Sequence, residues 1–474
     1  MRKFLLASAA TLGATVGLTG VASAQMTGGT PGPMPMGVMS MPVQPPPYLG
    51  GNNSLNSDGS ALVPGPTTPT PGSMVIHLNG RVWFYGSFQG GSGYSVSGPA
   101  GTSNKLSPFG FTGYARLYPG MDALATNGLR YGGIMEIRQN FVAPGTGGGS
   151  LVGANSSGAS GQSSGSTMYF RREAVYIGSD SVGIFRLGQD DGPISQFEGG
   201  VTTFQNYDAS NWNGDGPNLQ VGNTQPTWPF WSGIGNEYTI SKAVYLSPTF
   251  AGFDFGLSYA PNNSVNTGSA FCPVAGPGCQ GLTTSTAAGD SFRATNMVEI
   301  MGRYRGTFSG LGIYAEGGYV GSGHVHNSGP AGDLANGFSV GDMGLALTYA
   351  GFTVGGHTIF GNFNGQVGLQ PKGAPAAVAW IAGVQYTTGP WTMGTSWFNY
   401  QSQGATALVH VSQRYENGFD IGGTYAIAPG LTAYAGYSYG ARHQGGVDFI
   451  AGAFGPLNNT VHTQNVLIGT RVQW

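Results

Sequence analysis

Six arginines stand out for where they fall along the chain. Arg81, Arg116, Arg130, Arg138, Arg186 and Arg471 each sit in a run of alternating apolar and polar residues, on the polar side. An extended chain sends successive side chains to opposite faces. In the first run Asn79, Arg81, Trp83 and Tyr85 therefore share one face, while Leu78, Val82, Phe84 and Phe88 take the other. Arg171 or Arg172 extends the set, and a regular strand can turn only one of the two to that face. The long stretch before Lys242 has the opposite character: it holds Asp190, Asp191, Glu198, Asp208 and Asp215 and no basic residue after Arg186. Basic groups on one wall and acidic groups on a segment facing it would set a transverse field across the gap. Such a field orients water and polar solutes and disfavours apolar ones. The plainer alternative is ordinary ion pairing at the wall, with the remaining charges solvated.

Positioning such a wall requires strands. From Val75 onward sixteen alternating segments follow one another, starting near residues 75, 109, 128, 167, 182, 235, 251, 296, 310, 338, 352, 376, 390, 414, 430 and 464. Their lengths of about 8 to 14 residues suit tilted strands crossing a bilayer. Tight connections such as Ser179-Asp180-Ser181, Tyr349-Ala350-Gly351 and Pro429-Gly430 alternate with long polar loops. An even strand count, tight turns at one rim and long loops at the other are the pattern of an all-β, transmembrane antiparallel barrel. Charge on a lipid-facing surface is costly, so the charged face of each strand is assigned inward. Both barrel ends then lie at the tight-turn, periplasmic rim.

Composition agrees. Charged residues are 8% of the chain, against about 25% in ordinary soluble domains, while glycine is 86 of 474 residues and aromatics are 12%. A lipid-facing outer surface needs no charge, and a disordered glycine-rich chain would lack the aromatics. A net charge of −2 excludes a phosphate-binding basic patch, so nucleic acid is not an expected partner. Arg2 and Lys3, the apolar run from Phe4 to Val21 and Ala22-Ser23-Ala24 read as a signal peptide over residues 1–24. Residues 25–74, rich in Pro, Gly and Met, read as a disordered periplasmic linker, with the barrel domain over 75–474. Met34, Met36, Met39 and Met41 could take Cu(I), but neither His nor Cys completes the set, so no metal site is assigned there. Cys272 and Cys279 suit a local disulfide in an exported chain. No cofactor motif occurs, and none of the seven histidines stands beside a nucleophile in a way that suggests catalysis.

Four motifs carry a family resemblance. They are the strand-turn-strand run from Ser241 to Tyr259, Phe185-Arg186-Leu187-Gly188-Gln189, Gln196-Phe197-Glu198-Gly199-Gly200, and the C-terminal Ile468-Gly469-Thr470-Arg471-Val472-Gln473-Trp474. Together they resemble the general (diffusion) porins of Gram-negative outer membranes. The resemblance implies a sixteen-stranded homotrimer in outer-membrane lipid, with a third loop folded into the lumen. Ions and small hydrophilic solutes would pass through by diffusion. The alternatives are a porin selective for sugars or anions, and an adhesin. Two features depart from the pattern: Ile240, Val244 and Leu246 share a face with Lys242 in the sixth strand, and the N-terminal linker has no counterpart.

Overall fold

A computed structural model describes residues 69–97, 103–105, 107–139, 168–197, 224–227, 234, 240–262, 285–286, 293–327, 329–330, 332–365, 368–405 and 407–474. The signal segment, nearly all of the linker with its methionines, Glu198, Asp208, Asp215, Cys272 and Cys279 lie outside these residues.

Sixteen strands close into one antiparallel barrel. They are β1 (Ser73–Gly91), β2 (Phe109–Leu124), β3 (Arg130–Gln139), β4 (Met168–Ser179), β5 (Gly183–Gln189), β6 (Ser241–Leu246), β7 (Phe253–Asn262) and β8 (Ala294–Phe308). They continue as β9 (Leu311–His324), β10 (Ser339–Tyr349), β11 (Phe352–Asn362), β12 (Ala377–Thr388), β13 (Trp391–Ser402), β14 (Arg414–Ala428), β15 (Leu431–His443) and β16 (Thr460–Gln473). Each strand pairs with its sequence neighbours, and β1 pairs with β16 to remove the free edges, with Trp83 opposite Arg471 and Phe84 opposite Thr470. Trp474 completes the seam: its amide and carbonyl exchange hydrogen bonds with Gly80 at 3.0 and 3.1 Å. Its indole occupies the space that a side chain at Gly80 would need.

The tight rim is built from turns that match the strand twist. Ala251-Gly252, Ser309-Gly310 and Ala350-Gly351 each place two successive residues at positive φ, the geometry of type I′ hairpins. Aromatic rings pair on the outside close to this rim: Phe253 with Tyr304, Phe352 with Tyr386 and Trp391 with Tyr425, at centroid distances of 4.6, 4.5 and 4.4 Å. Between the rims the outward side chains are apolar and exposed, among them Val82, Phe84, Val175, Leu187, Leu345 and Val466. No helix among the described residues is long and apolar enough to cross a membrane; the crossing elements are strands.

β4 departs from regular alternation, and it corrects an expectation. Arg171 and Arg172 are both buried on the inner side. Opposite Glu136 and Ile137 of β3, the partners on β4 are Arg172 and Phe170, so Arg171 is an extra residue in a β-bulge. The bulge lets two consecutive arginines face the lumen while Phe170 and Glu173 on either side of them remain exposed.

Candidate functional site: the lumen and its crossing loop

The chain leaves β5 at Gln189 and turns inward at once. Asp190 and Asp191 are buried against the wall, and Pro193–Phe197 form a single-turn helix, α1. The helix lies on the inward faces of β7, β8 and β9. Gly256 of β7 leaves room for it, since a Cβ there would come within 2.5 Å of Pro193. The Arg303 guanidinium of β8 stacks 4.2 Å over the Phe197 ring, and the Tyr314 hydroxyl of β9 donates to the Phe197 carbonyl. Farther along the same loop, the Thr227 amide and hydroxyl donate to Glu416 Oε1 on β14, at 3.2 and 3.3 Å. Around the barrel, β14 lies seven strands from β5 one way and nine the other, so the loop crosses the lumen.

Where the loop begins, wall and loop charges are in direct contact. Glu136, fully buried on β3, accepts from Arg138 Nε and from Arg171 Nη1, the latter at 2.8 Å, with Arg172 Nε 3.3 Å away. Arg171 Nη2 donates to Asp191 Oδ1 at 2.9 Å, Arg172 Nη2 to Asp191 Oδ2, and Arg186 Nη1 to Asp190 Oδ2 at 2.9 Å. The expectation that the acidic loop would face the arginines across open space is corrected here for Asp190 and Asp191. Both carboxylates bond to the arginine wall itself, because a buried charge needs a hydrogen-bonded partner within reach. The network fixes the direction in which the loop sets off.

Beside this network is a second arginine group. Arg81 of β1 stands directly opposite Arg116 of β2, and Arg471 of β16 opposite Trp83. The Trp83 ring carries Arg81 on its face at 4.4 Å and Arg116 at 5.6 Å. An aromatic face held against two guanidiniums offsets part of their mutual repulsion. Arg130 differs from the other five. It sits near the tight-turn rim and binds the exposed Asp180 of the β4–β5 turn through Nε and Nη2, at 2.8 and 2.9 Å. It therefore belongs to the rim, away from the loop contacts.

The ambiguous face of β6 is resolved by what covers it. Val244, Leu246 and Lys242 all point inward and are buried. Val244 and Leu246 join Ile240, Ile194 and Phe197 in one apolar cluster beneath the loop, while Lys242 Nζ reaches toward Glu299 at 3.9 Å. Further lumenal charges were not singled out from the sequence. Asp254 takes Arg303 in a two-pronged contact at 2.8 and 2.7 Å and Arg305 at 2.8 Å. Glu416 also accepts from Arg442 at 2.5 Å, and His357 contacts Asp342 at 2.8 Å beside Glu316. Each lies on the polar side of an alternating strand, the signal that exposed the first six arginines.

A closed sixteen-strand barrel with an apolar outer surface and a loop laid across a charged lumen defines an outer-membrane channel. Residues 8–443 match the family model described as Gram-negative porin, and the chain belongs to that family. Among solved structures it is similar to the anion-selective porin from Comamonas acidovorans, at 13% identity over 85% of this chain and 100% of that one, with a TM-score of 0.50. OmpT of Vibrio cholerae matches at 12% identity, 86% and 100% coverage and a TM-score of 0.46. A Rh. blastica porin mutant matches at 12% identity, 84% and 100% coverage and 0.46. At 13% identity the likeness to the Comamonas acidovorans porin speaks to the fold alone. A search of curated proteins gave no match. The protein is a porin of the Gram-negative outer membrane, a channel for passive diffusion.

Proposed function

We propose that the channel passes small hydrophilic solutes and ions, with small anions favoured along one side of its lumen. The observation that carries this reading is the continuous arc β16-β1-β2-β3-β4-β5. Its inner face brings Arg471, Arg81, Arg116, Arg138, Arg171, Arg172 and Arg186 together at the start of the crossing loop. Among the described residues these seven arginines outnumber Glu136, Asp190 and Asp191, the carboxylates that bind them, and a basic surface at a constriction raises the local anion concentration. The other proposed pore-lining basic residue, Arg130, acts at the rim, and Asp190 and Asp191 act as anchors for the loop. Passive diffusion requires no catalytic group, and we assign the protein no enzymatic role.

The channel works, in this reading, as a homotrimer. Supporting it is Glu173, which is exposed on the outward face of β4 and lines a recess of ≈ 610 Å³ with Met121, Met135, Val175 and Leu187. A carboxylate on a lipid-facing surface is unfavourable, and a neighbouring subunit on this arc would remove it from lipid.

The test is single-channel recording in a planar bilayer, with the reversal potential measured in a salt gradient. Ohmic steps closing in threes, with an anion-selective reversal potential that moves toward zero in Arg81→Gln, are expected. A cation-selective reversal potential would overturn the anion preference, and independent single steps would overturn the trimer. No conductance from folded, inserted protein would leave an adhesin as the better reading.

A further inference from the structure

At the long-loop end of β9, His324 and His326 flank the buried Val325. Two residues apart on extended chain, they present their rings on one side, and the rings meet edge to face at 5.2 Å. The following loop then brings Asp333 back to both. Its Oδ2 lies 3.3 Å from His324 Nε2 and 3.1 Å from His326 Nδ1.

The framework around these three groups is fixed by other bonds. The Asn327 amide donates to Asp333 Oδ1 at 2.9 Å, and the Val325 amide donates to the Arg293 carbonyl at 3.0 Å. Just beyond Asp333, the Asn336 amide donates to the Gln370 carbonyl and the Lys372 amide to the Leu334 carbonyl, both at 2.9 Å. These bonds tie the loop to the one that follows β11. His324 Nε2 is buried and, although it faces the carboxylate, makes no hydrogen bond.

We propose that His324, His326 and Asp333 form a binding site for a divalent transition-metal ion of the zinc class. Three donor atoms lie within 4.8 Å of one another. In a tetrahedral zinc site with bonds of about 2.0–2.2 Å, adjacent donors stand roughly 3.3–3.5 Å apart, close to the two separations found here. Two imidazole nitrogens and one carboxylate oxygen suit zinc, nickel or copper(II), whereas calcium and magnesium select all-oxygen sets. His326 is exposed, so an ion can enter from outside and keep a coordination position for water. Bound metal would lock the end of β9 to a loop already joined to its neighbour, at the outer mouth of the channel.

The test is calorimetric titration of Zn²⁺ into the metal-stripped full-length protein, folded in detergent, alongside the double variant His324→Ala/His326→Ala and Asp333→Asn. Wild type should bind one more zinc per chain than the double variant, and Asp333→Asn should weaken that site at least ~10-fold. Equal zinc uptake by wild type and a folded double variant would overturn the site. Cobalt(II) added to wild type keeps the proposal falsifiable should the variants fail to fold. A visible absorption band of nitrogen- and oxygen-ligated cobalt is expected, and its absence at saturating cobalt would overturn the proposal equally.

Discussion

On the arc from β16 through β1 to β5, the inner wall between the rims is dominated by arginines and the carboxylates that bind them. On the arc from β6 to β13 the inward residues include Val244, Leu246, Met301, Val340, Ile381 and Phe398, all buried in one apolar cluster with Ile194 and Phe197 of the loop. Both arcs obey the same alternation, and both send apolar groups to the outside. They differ in what faces them: one meets the lumen and the charged root of the loop, the other a docked segment that excludes water. The large apolar inner surface of this barrel therefore lies where the chain itself supplies a cover. The crossing loop is held by charge at one end and by packing against the opposite wall.

The largest effect is expected from the charged arc. Glu136→Gln leaves Arg138, Arg171 and Arg172 around a neutral amide, and removing one partner of a buried ionic network costs about 3–5 kcal/mol. Urea unfolding of the bilayer-inserted protein measures this, and a loss no larger than that of a surface substitution would mean the arginines do not depend on Glu136. Phe197→Ala tests the packed arc. Deleting a buried aromatic ring costs about 3 kcal/mol where the surroundings can partly relax, and here it should also loosen α1. Higher and noisier single-channel conductance is expected, and an unchanged trace would show that α1 does not narrow the pore.

The smallest effect belongs to neither arc and serves as their control. Burial of Asp448, in the loop between β15 and β16, raises its carboxyl, but the donors on Ala451, Asn458 and Ile450 together outweigh this and hold it below the ordinary value. A carboxyl lowered on folding stabilises above its unfolded pKa of about 3.9, and the contribution is lost as pH falls through the folded value. Hydrogen-exchange protection of the Ile450 and Ala451 amides should therefore drop in acid, with conductance unchanged. Asp448→Asn should abolish that dependence.

The strands were legible because alternation and the cost of lipid-facing charge act locally. Arg81, Arg116, Arg138 and Arg471 are placed inward by their own neighbours in sequence. Strand six was ambiguous for the opposite reason: its apolar inner face depends on Ile194 and Phe197, more than forty residues away in sequence. The contacts of Asp190 with Arg186, four residues away, and of Asp191 with Arg171 and Arg172, 20 and 19 residues away, depend on the inward turn after Gln189, which alternation does not encode. The paired inward placement of Arg171 and Arg172 could not be read either, because alternation has no term for an extra residue, and the bulge exists only in the pairing of β4 with β3.

That extra residue changes what a strand can lose. In a regular strand, deleting one residue reverses the facing of everything beyond it and turns a lipid-facing surface inside out. At Arg171 the reversal has already happened. Without it Phe170 would directly precede Arg172, and Met168, Phe170, Glu173 and Val175 would keep the facing they have now. A single-codon deletion, ruinous elsewhere on this wall, is expected here to leave a closed cylinder with one fewer charge in its interior.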